Sequence, residues 1–225
     1  MGVVVAFDLD DTLCKEVDFV DSAFRAIACK LKGYGVAPEE SLAAMRGAFI
    51  SGKNPINAIT DNFNVGLSEK QLVEIYRTHV PDISLDKPTE DMLAKMVANG
   101  YELALVTDGR SVTQRNKIES LGLGRYVSDD NIFISEETGF DKTNPSNFEA
   151  LQERYGNGCC FFYVGDNPAK DFLHPNKLGW ITVCLVDDGR NIHSQNARVE
   201  KEAYPQYSIK NIGELPELIE KLKYK

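Results

Sequence analysis

Asp8 and Asp10 stand at the end of an apolar run, in the stretch Val3-Val4-Val5-Ala6-Phe7-Asp8-Leu9-Asp10-Asp11-Thr12-Leu13. A run apolar on both faces reads as a buried parallel strand, and open α/β sheets bind their ligands beyond the carboxyl ends of such strands. Carboxylates placed there can hold a hard cation, attack an electrophile or move a proton. The same residues would also make an ordinary turn that caps the next helix. Three further polar clusters close predicted strands: Thr107-Asp108-Gly109, Lys142 after Ile134-Ser135, and Gly165-Asp166-Asn167-Pro168 with Asp171 beyond it. Strand ends of one parallel sheet converge on one crevice, which would gather these residues around Asp8 and Asp10.

The elements that must position them follow from the hydrophobic pattern. After Asp8, about seventy residues show only helix-like spacing, as in Phe19, Ala23, Ala26, Ile27, Leu31 and then Leu42, Met45, Phe49. Gly33 to Gly35, Gly52 to Pro55 and Asn64 to Ser68 divide this block into roughly four helices, and Ser68 to Gln71 has the spacing of a capping box. Pro81 to Pro88 reads as a linker. From Thr89 the pattern alternates: helix to Ala98, strand 103–107, helix 112–121, strand 132–135, helix 146–155, strand 160–164, helix to Leu178, strand 181–186. A terminal strand near 207–209 and a closing helix, 215–222, complete it. Alternating βα units predict an α/β fold, a Rossmann-like three-layer core with a parallel sheet. The expected division is a core of residues 1–14 and 86–225 with a helical insert, 15–85, lying over Asp8 as a lid. Cys14 to Asp18 and Pro81 to Pro88 would be its hinges. The polar, aperiodic stretch Asp187 to Tyr204 reads as a surface excursion.

Composition excludes several functions. The 225 residues carry 25 Lys and Arg against 34 Asp and Glu, a net charge of -9, with no basic stripe for a nucleic-acid backbone. The five cysteines are odd in number and lack metal-site spacing, which fits a reducing, cytoplasmic setting. No leader pattern or transmembrane-length run occurs, so a membrane is not an expected partner. His79, His174 and His193 lie far apart without ligand spacing, and surface or helix-end positions are expected for each. Gly33 and Gly35 follow no strand and make no dinucleotide fingerprint.

Taken in order, the motifs resemble those of the haloacid dehalogenase (HAD) superfamily. Asp8-x-Asp10-x-Thr12 is similar to its first motif, Thr107 to its second, Lys142 to its third and Gly165-Asp166-x-x-x-x-Asp171 to its fourth, and the helical insert resembles the type 1 cap of subfamily I. The resemblance implies catalytic roles for Asp8, Asp10, Thr107 and Lys142. Asp8 would be the nucleophile that forms an aspartyl-phosphate, and Asp10, crowded by like charges, would protonate the leaving alcohol and then deprotonate water. Thr107, Asp108, Gly109 and Lys142 would bind the substrate phosphate. Mg2+ would be held by Asp8, the backbone carbonyl of Asp10 and Asp166, with Asp171 either a further ligand or a group that orients one. Thr143 stands where proline is usual in the family, and Asp108, where many relatives have Asn, would alternatively only cap the next helix.

The implied function is a Mg2+-dependent phosphatase acting on a small phosphorylated metabolite, as a monomer or homodimer. The haloacid dehalogenases lack the second aspartate, because halide leaves without a proton, so Asp10 favours a phosphate ester over a carbon-halogen bond. The alternatives are a phosphomutase of the β-phosphoglucomutase type and a non-catalytic HAD-like metabolite-binding protein. A phosphonate hydrolase would require a specific cap lysine, and Lys30, Lys32 and Lys53 have no context that singles one out. Arg25, Arg46 or Lys53 of the insert could reach a substrate tail.

Overall fold

The computed structural model describes residues 2–224. Strand β1 (Val3–Phe7) is followed by four helices, α1 (Glu16–Lys32), α2 (Pro38–Ile50), α3 (Pro55–Asn62) and α4 (Glu69–Thr78). Helix α5 (Lys87–Ala98) then leads into β2 (Glu102–Thr107), α6 (Ser111–Ser120), β3 (Ile132–Ile134), the single turn α7 (Ser135–Thr138) and α8 (Ser146–Tyr155). The chain ends with β4 (Cys160–Gly165), α9 (Leu173–Lys177), β5 (Ile181–Leu185), β6 (Tyr207–Ile209) and α10 (Leu215–Leu222).

The strands form one parallel sheet in the order β3-β2-β1-β4-β5-β6. Side chains alternate across a strand, so β1 sends Val3, Val5 and Phe7 to one face, among Met92, Leu93 and Ile118, and Val4 and Ala6 to the other, among Phe148, Phe172 and Trp180. Helices therefore cover both faces, and this is the three-layer α/β core that the sequence predicts. The chain leaves β1 toward β2 and β3 and returns on its other side to β4. That reversal opens a crevice at the carboxyl ends of β1 and β4.

Helices α1 to α4 make an apolar cluster of their own around Phe24, Ile27, Leu31, Met45, Ile59 and Leu72. Ser68 and Gln71 form the expected capping box at the start of α4. Helix α1 already begins at Glu16, inside the expected Cys14 to Asp18 linker, and Lys15 before it offers no side-chain cap. Asp11 supplies one instead: its Oδ1 accepts from the Glu16 N–H at 3.0 Å. To reach it, Asp11 adopts φ 57°, the left-handed conformation that non-glycine residues rarely take. The helix expected to run to Leu178 is confined to α9, because Asp166 to Phe172 forms a loop folded around the Asp171 carboxylate. No helix among the described residues is long and apolar enough to cross a membrane.

Candidate active site

β1 delivers Asp8 to the crevice, and the Asp8 N–H still donates along the sheet to Val164 O at 2.9 Å. Its carboxylate accepts from the Leu9 N–H at 2.7 Å and lies 2.5 Å from Lys142 Nζ. Lys142 also reaches Asp171 Oδ1 at 2.9 Å. Asp171 is wholly buried, and its other oxygen accepts from the N–H groups of Asp166 (3.1 Å) and Asn167 (2.7 Å), which fixes the loop after β4. Carboxylate oxygens of Asp8, Asp166 and Asp171 all lie within 4.8 Å of one another. Residues from the ends of β1 and β4 and from the loop after α7 thus meet in one place, as the convergence of strand ends requires.

The electrostatics of this cluster are those of crowded, buried anions. Burial, then Asp171 and Asp11, pushes the Asp166 carboxyl up to about 7. Burial also pushes Asp8 well up, offset by Lys142 and reinforced by Asp171 and Asp166. Burial alone would lower Lys142, yet Asp171 and Asp8 hold its ammonium protonated well above the usual lysine range.

Residues 3–173 match the family model for a haloacid dehalogenase-like hydrolase, well over half of the chain. The chain belongs to the haloacid dehalogenase-like hydrolases. It is similar to a glyceraldehyde 3-phosphate phosphatase of Methanocaldococcus jannaschii, 26% identical over 231 residues that cover 97% of each chain. In fold it is similar to the HAD-hydrolase YfnB of Bacillus subtilis, solved bound to magnesium, at a TM-score of 0.65 and 20% identity over 97% of this chain and 98% of that one. A 2-haloacid dehalogenase from Pseudomonas syringae pv. Tomato DC3000 superposes with a TM-score of 0.63, at 21% identity over 98% and 99% of the two chains.

Three expectations about this hydrolase change with the geometry. Asp10 was expected among carboxylates, but its own carboxylate lies outside the Asp8, Asp166 and Asp171 cluster and is met by two residues of α6. Lys117 Nζ lies 2.6 Å from Asp10 Oδ1, and Gln114 Nε2 donates to Asp10 Oδ2 at 2.9 Å and to Thr107 Oγ1 at 2.7 Å. The Gly109 amide donates to Ser135 Oγ at 2.9 Å, which leaves it engaged within the protein rather than turned to a phosphate. Asp108 does not cap α6, whose first N–H donates to Glu136 Oε2. The Asp108 carboxylate instead accepts the Lys142 N–H at 3.0 Å and pairs with Lys170 at 3.3 Å.

Sequence reasoning passed over Gln114 and Lys117, both about fully buried. Burial alone would lower Lys117, but Asp10, with Cys14 and Glu16, raises it. The available signal was α6 itself: its inward positions 114, 117, 118 and 121 follow helical spacing, yet only two of them are apolar. The stretch from Asp187, expected at the surface, reaches back into the site. Asn191 Nδ2 donates to Asp166 Oδ2 and Gln195 Nε2 to Asp166 O, each at 2.8 Å, while the Ile192 N–H donates to Asp11 Oδ2 at 3.1 Å. Ile192 also packs on the α1 to α4 cluster. His193 is exposed as expected, but it lines the mouth of the site, 3.9 Å from Glu16. The cavity there is small, about 110 Å3, and Glu16, Lys170 and His193 line it beside the carboxylates. His79 sits at the end of α4, where the sequence places it.

Proposed function

We propose that this hydrolase is a Mg2+-dependent phosphatase of a small phosphorylated metabolite, working through an aspartyl-phosphate on Asp8. The observation that carries the reading is the meeting of Asp8 with Lys142, Asp166 and Asp171 in one buried pocket, beside Asp10 as a further carboxyl group. The donor set fits the metal. Three buried carboxylates face a single ammonium, an excess of negative charge of the kind that oxygen-coordinated dications neutralise. In our reading Asp8, Asp166 and the backbone carbonyl of Asp10 hold Mg2+. Asp171, with both oxygens already engaged, orients Lys142 and the Asp166 loop. When bound, the ion supplies positive charge to phosphoryl oxygens.

The chain's own residues would carry the steps. An Asp8 carboxylate oxygen attacks phosphorus, the bond from phosphorus to the ester oxygen breaks, and Asp10 gives a proton to the leaving alcohol. Water then attacks the acyl phosphate, Asp10 takes its proton, and inorganic phosphate leaves as Asp8 is regenerated. Lys142 and the Thr107 hydroxyl stabilise charge on the transferring group. Closing the α1 to α4 insert over the crevice would exclude water during transfer, with residues 15–85 as the cap and 1–14 with 86–225 as the core.

A glyceraldehyde 3-phosphate phosphatase among the relatives and the small cavity together favour a substrate of triose-phosphate size. Asp10 favours phosphate esters over haloacids, although a dehalogenase shares the fold. The experiment is phosphate release from p-nitrophenyl phosphate and a panel of triose, sugar and nucleotide phosphates, with Mg2+ or EDTA, and halide release from 2-chloropropionate as the control. Mg2+-dependent phosphate release that vanishes in Asp8→Asn is the expected result. Turnover indifferent to EDTA, or retained in Asp8→Asn, would overturn it.

A further inference from the structure

Both carboxylate oxygens of Asp10 are held by one helix that the phosphatase chemistry does not otherwise use. Oδ1 meets Lys117 Nζ at 2.6 Å, and Oδ2 accepts from Gln114 Nε2 at 2.9 Å. The orientation of the Gln114 amide is chemically forced, because its three neighbours are the Asp10 carboxylate, the Thr107 hydroxyl and the Asp108 carbonyl oxygen at 3.2 Å. The space it occupies depends on Gly109, where a Cβ would come within 3.1 Å of the Gln114 Cγ and Cδ. Lys117 is equally confined. Its side chain is 3% exposed, and its ammonium lies 4.2 Å from the centre of the Phe19 ring.

Packing does not account for a lysine at this position. A buried ion pair commonly adds little to stability beyond what apolar residues of the same volume would give, and Phe19 offers an apolar wall that a methionine would fill. What lysine and glutamine add is direction, a fork that fixes the Asp10 carboxylate in two places. An acid-base group works only within hydrogen-bond reach of the proton it moves, so a carboxylate free to rotate would spend its time in unproductive orientations.

We propose that Lys117 and Gln114 are positioning residues that aim Asp10 at the leaving oxygen. The proposal rests on the phosphatase reading, and the test separates the two. The first chemical step is compared on a glycerol phosphate, whose alkoxide needs a proton to leave, and on p-nitrophenyl phosphate, whose phenolate departs without one. Lys117→Met and Gln114→Leu are each expected to lower kcat/KM on the alkyl ester about 100-fold, and on the nitrophenyl ester by less than about 10-fold. KM should stay within about threefold of wild type, and Lys117→Arg should recover most of the loss, because a guanidinium keeps the charge and the donors. Thermal melting identifies variants that fold. If Lys117→Met does not, Gln114→Leu carries the same comparison. Equal losses on both esters, or no loss on either, with an active wild type would overturn the positioning role and leave the phosphatase reading standing. A wild type that releases no phosphate from any ester would overturn both.

Discussion

Gly165 is the residue on which the geometry of the acid cluster most directly depends. A Cβ there would lie 2.4 Å from Asp171 Oδ2, the oxygen that holds the Asp166 and Asn167 amides. Gly165→Ala must therefore push the Asp171 carboxylate off its partners, at an overpacking cost of about 1–3 kcal/mol. Urea denaturation should show that loss, and calorimetric titration with Mg2+ should show weaker binding; an alanine variant that binds the ion like wild type would contradict this account. Glu16 sets a different kind of dependence. Burial first, then the charge of Asp10, pushes its carboxyl up to about 7 from an ordinary value of 4.5. Folding thus raises its proton affinity, so its contribution to stability is fully present below 4.5 and is lost as pH rises through 7. Glu16→Gln removes that contribution. The expected outcome, in EDTA, is a variant that loses less stability than wild type between pH 5 and pH 8, with parallel profiles as the contrary result.

At the scale of the element, α6 joins the core to the helical insert. Asn116 Nδ2 donates to the carbonyls of Thr78 (3.1 Å) and His79 (3.0 Å), and Thr113 Oγ1 to that of Arg77 (3.0 Å), so α6 satisfies carbonyls that α4 leaves open at its end. Asn116→Ala should cost about 1 kcal/mol and speed hydrogen exchange in α4 while leaving the sheet protected. Uniform exchange across the chain would show that the junction holds nothing locally. The strands around the site were legible because buried parallel strands write themselves as apolar runs, as in Leu103 to Val106 and Phe161 to Val164, and the motif residues follow those runs directly. Helix α6 was legible as a helix but not as part of the site. Its inner face carries Gln114 and Lys117, which a hydrophobic pattern assigns to water. The segment after β5 was illegible for another reason. Asn191 and Gln195 act through long-range amide hydrogen bonds, which leave no periodicity in the chain.

For the whole molecule, the cluster concentrates negative charge in a protein whose net charge is already -9. Mg2+ should raise the melting temperature of metal-free protein in a concentration-dependent way, and Asp166→Asn should abolish the rise; a shift that survives the substitution would place the ion elsewhere. A hinged cap, as proposed, would draw on two separate apolar clusters linked along the chain by short passages at Leu13 to Lys15 and His79 to Asp86. A crosslink that holds the insert against the core should depress turnover, and unchanged turnover would end the lid idea. The segment that carries Asn191 and His193 has a consequence for kinship. His193 at the mouth of the pocket and Asn191 on Asp166 both lie beyond residues 3–173, the stretch that carries the motifs. Relatives can therefore keep every motif fixed and still differ in what surrounds the acid cluster.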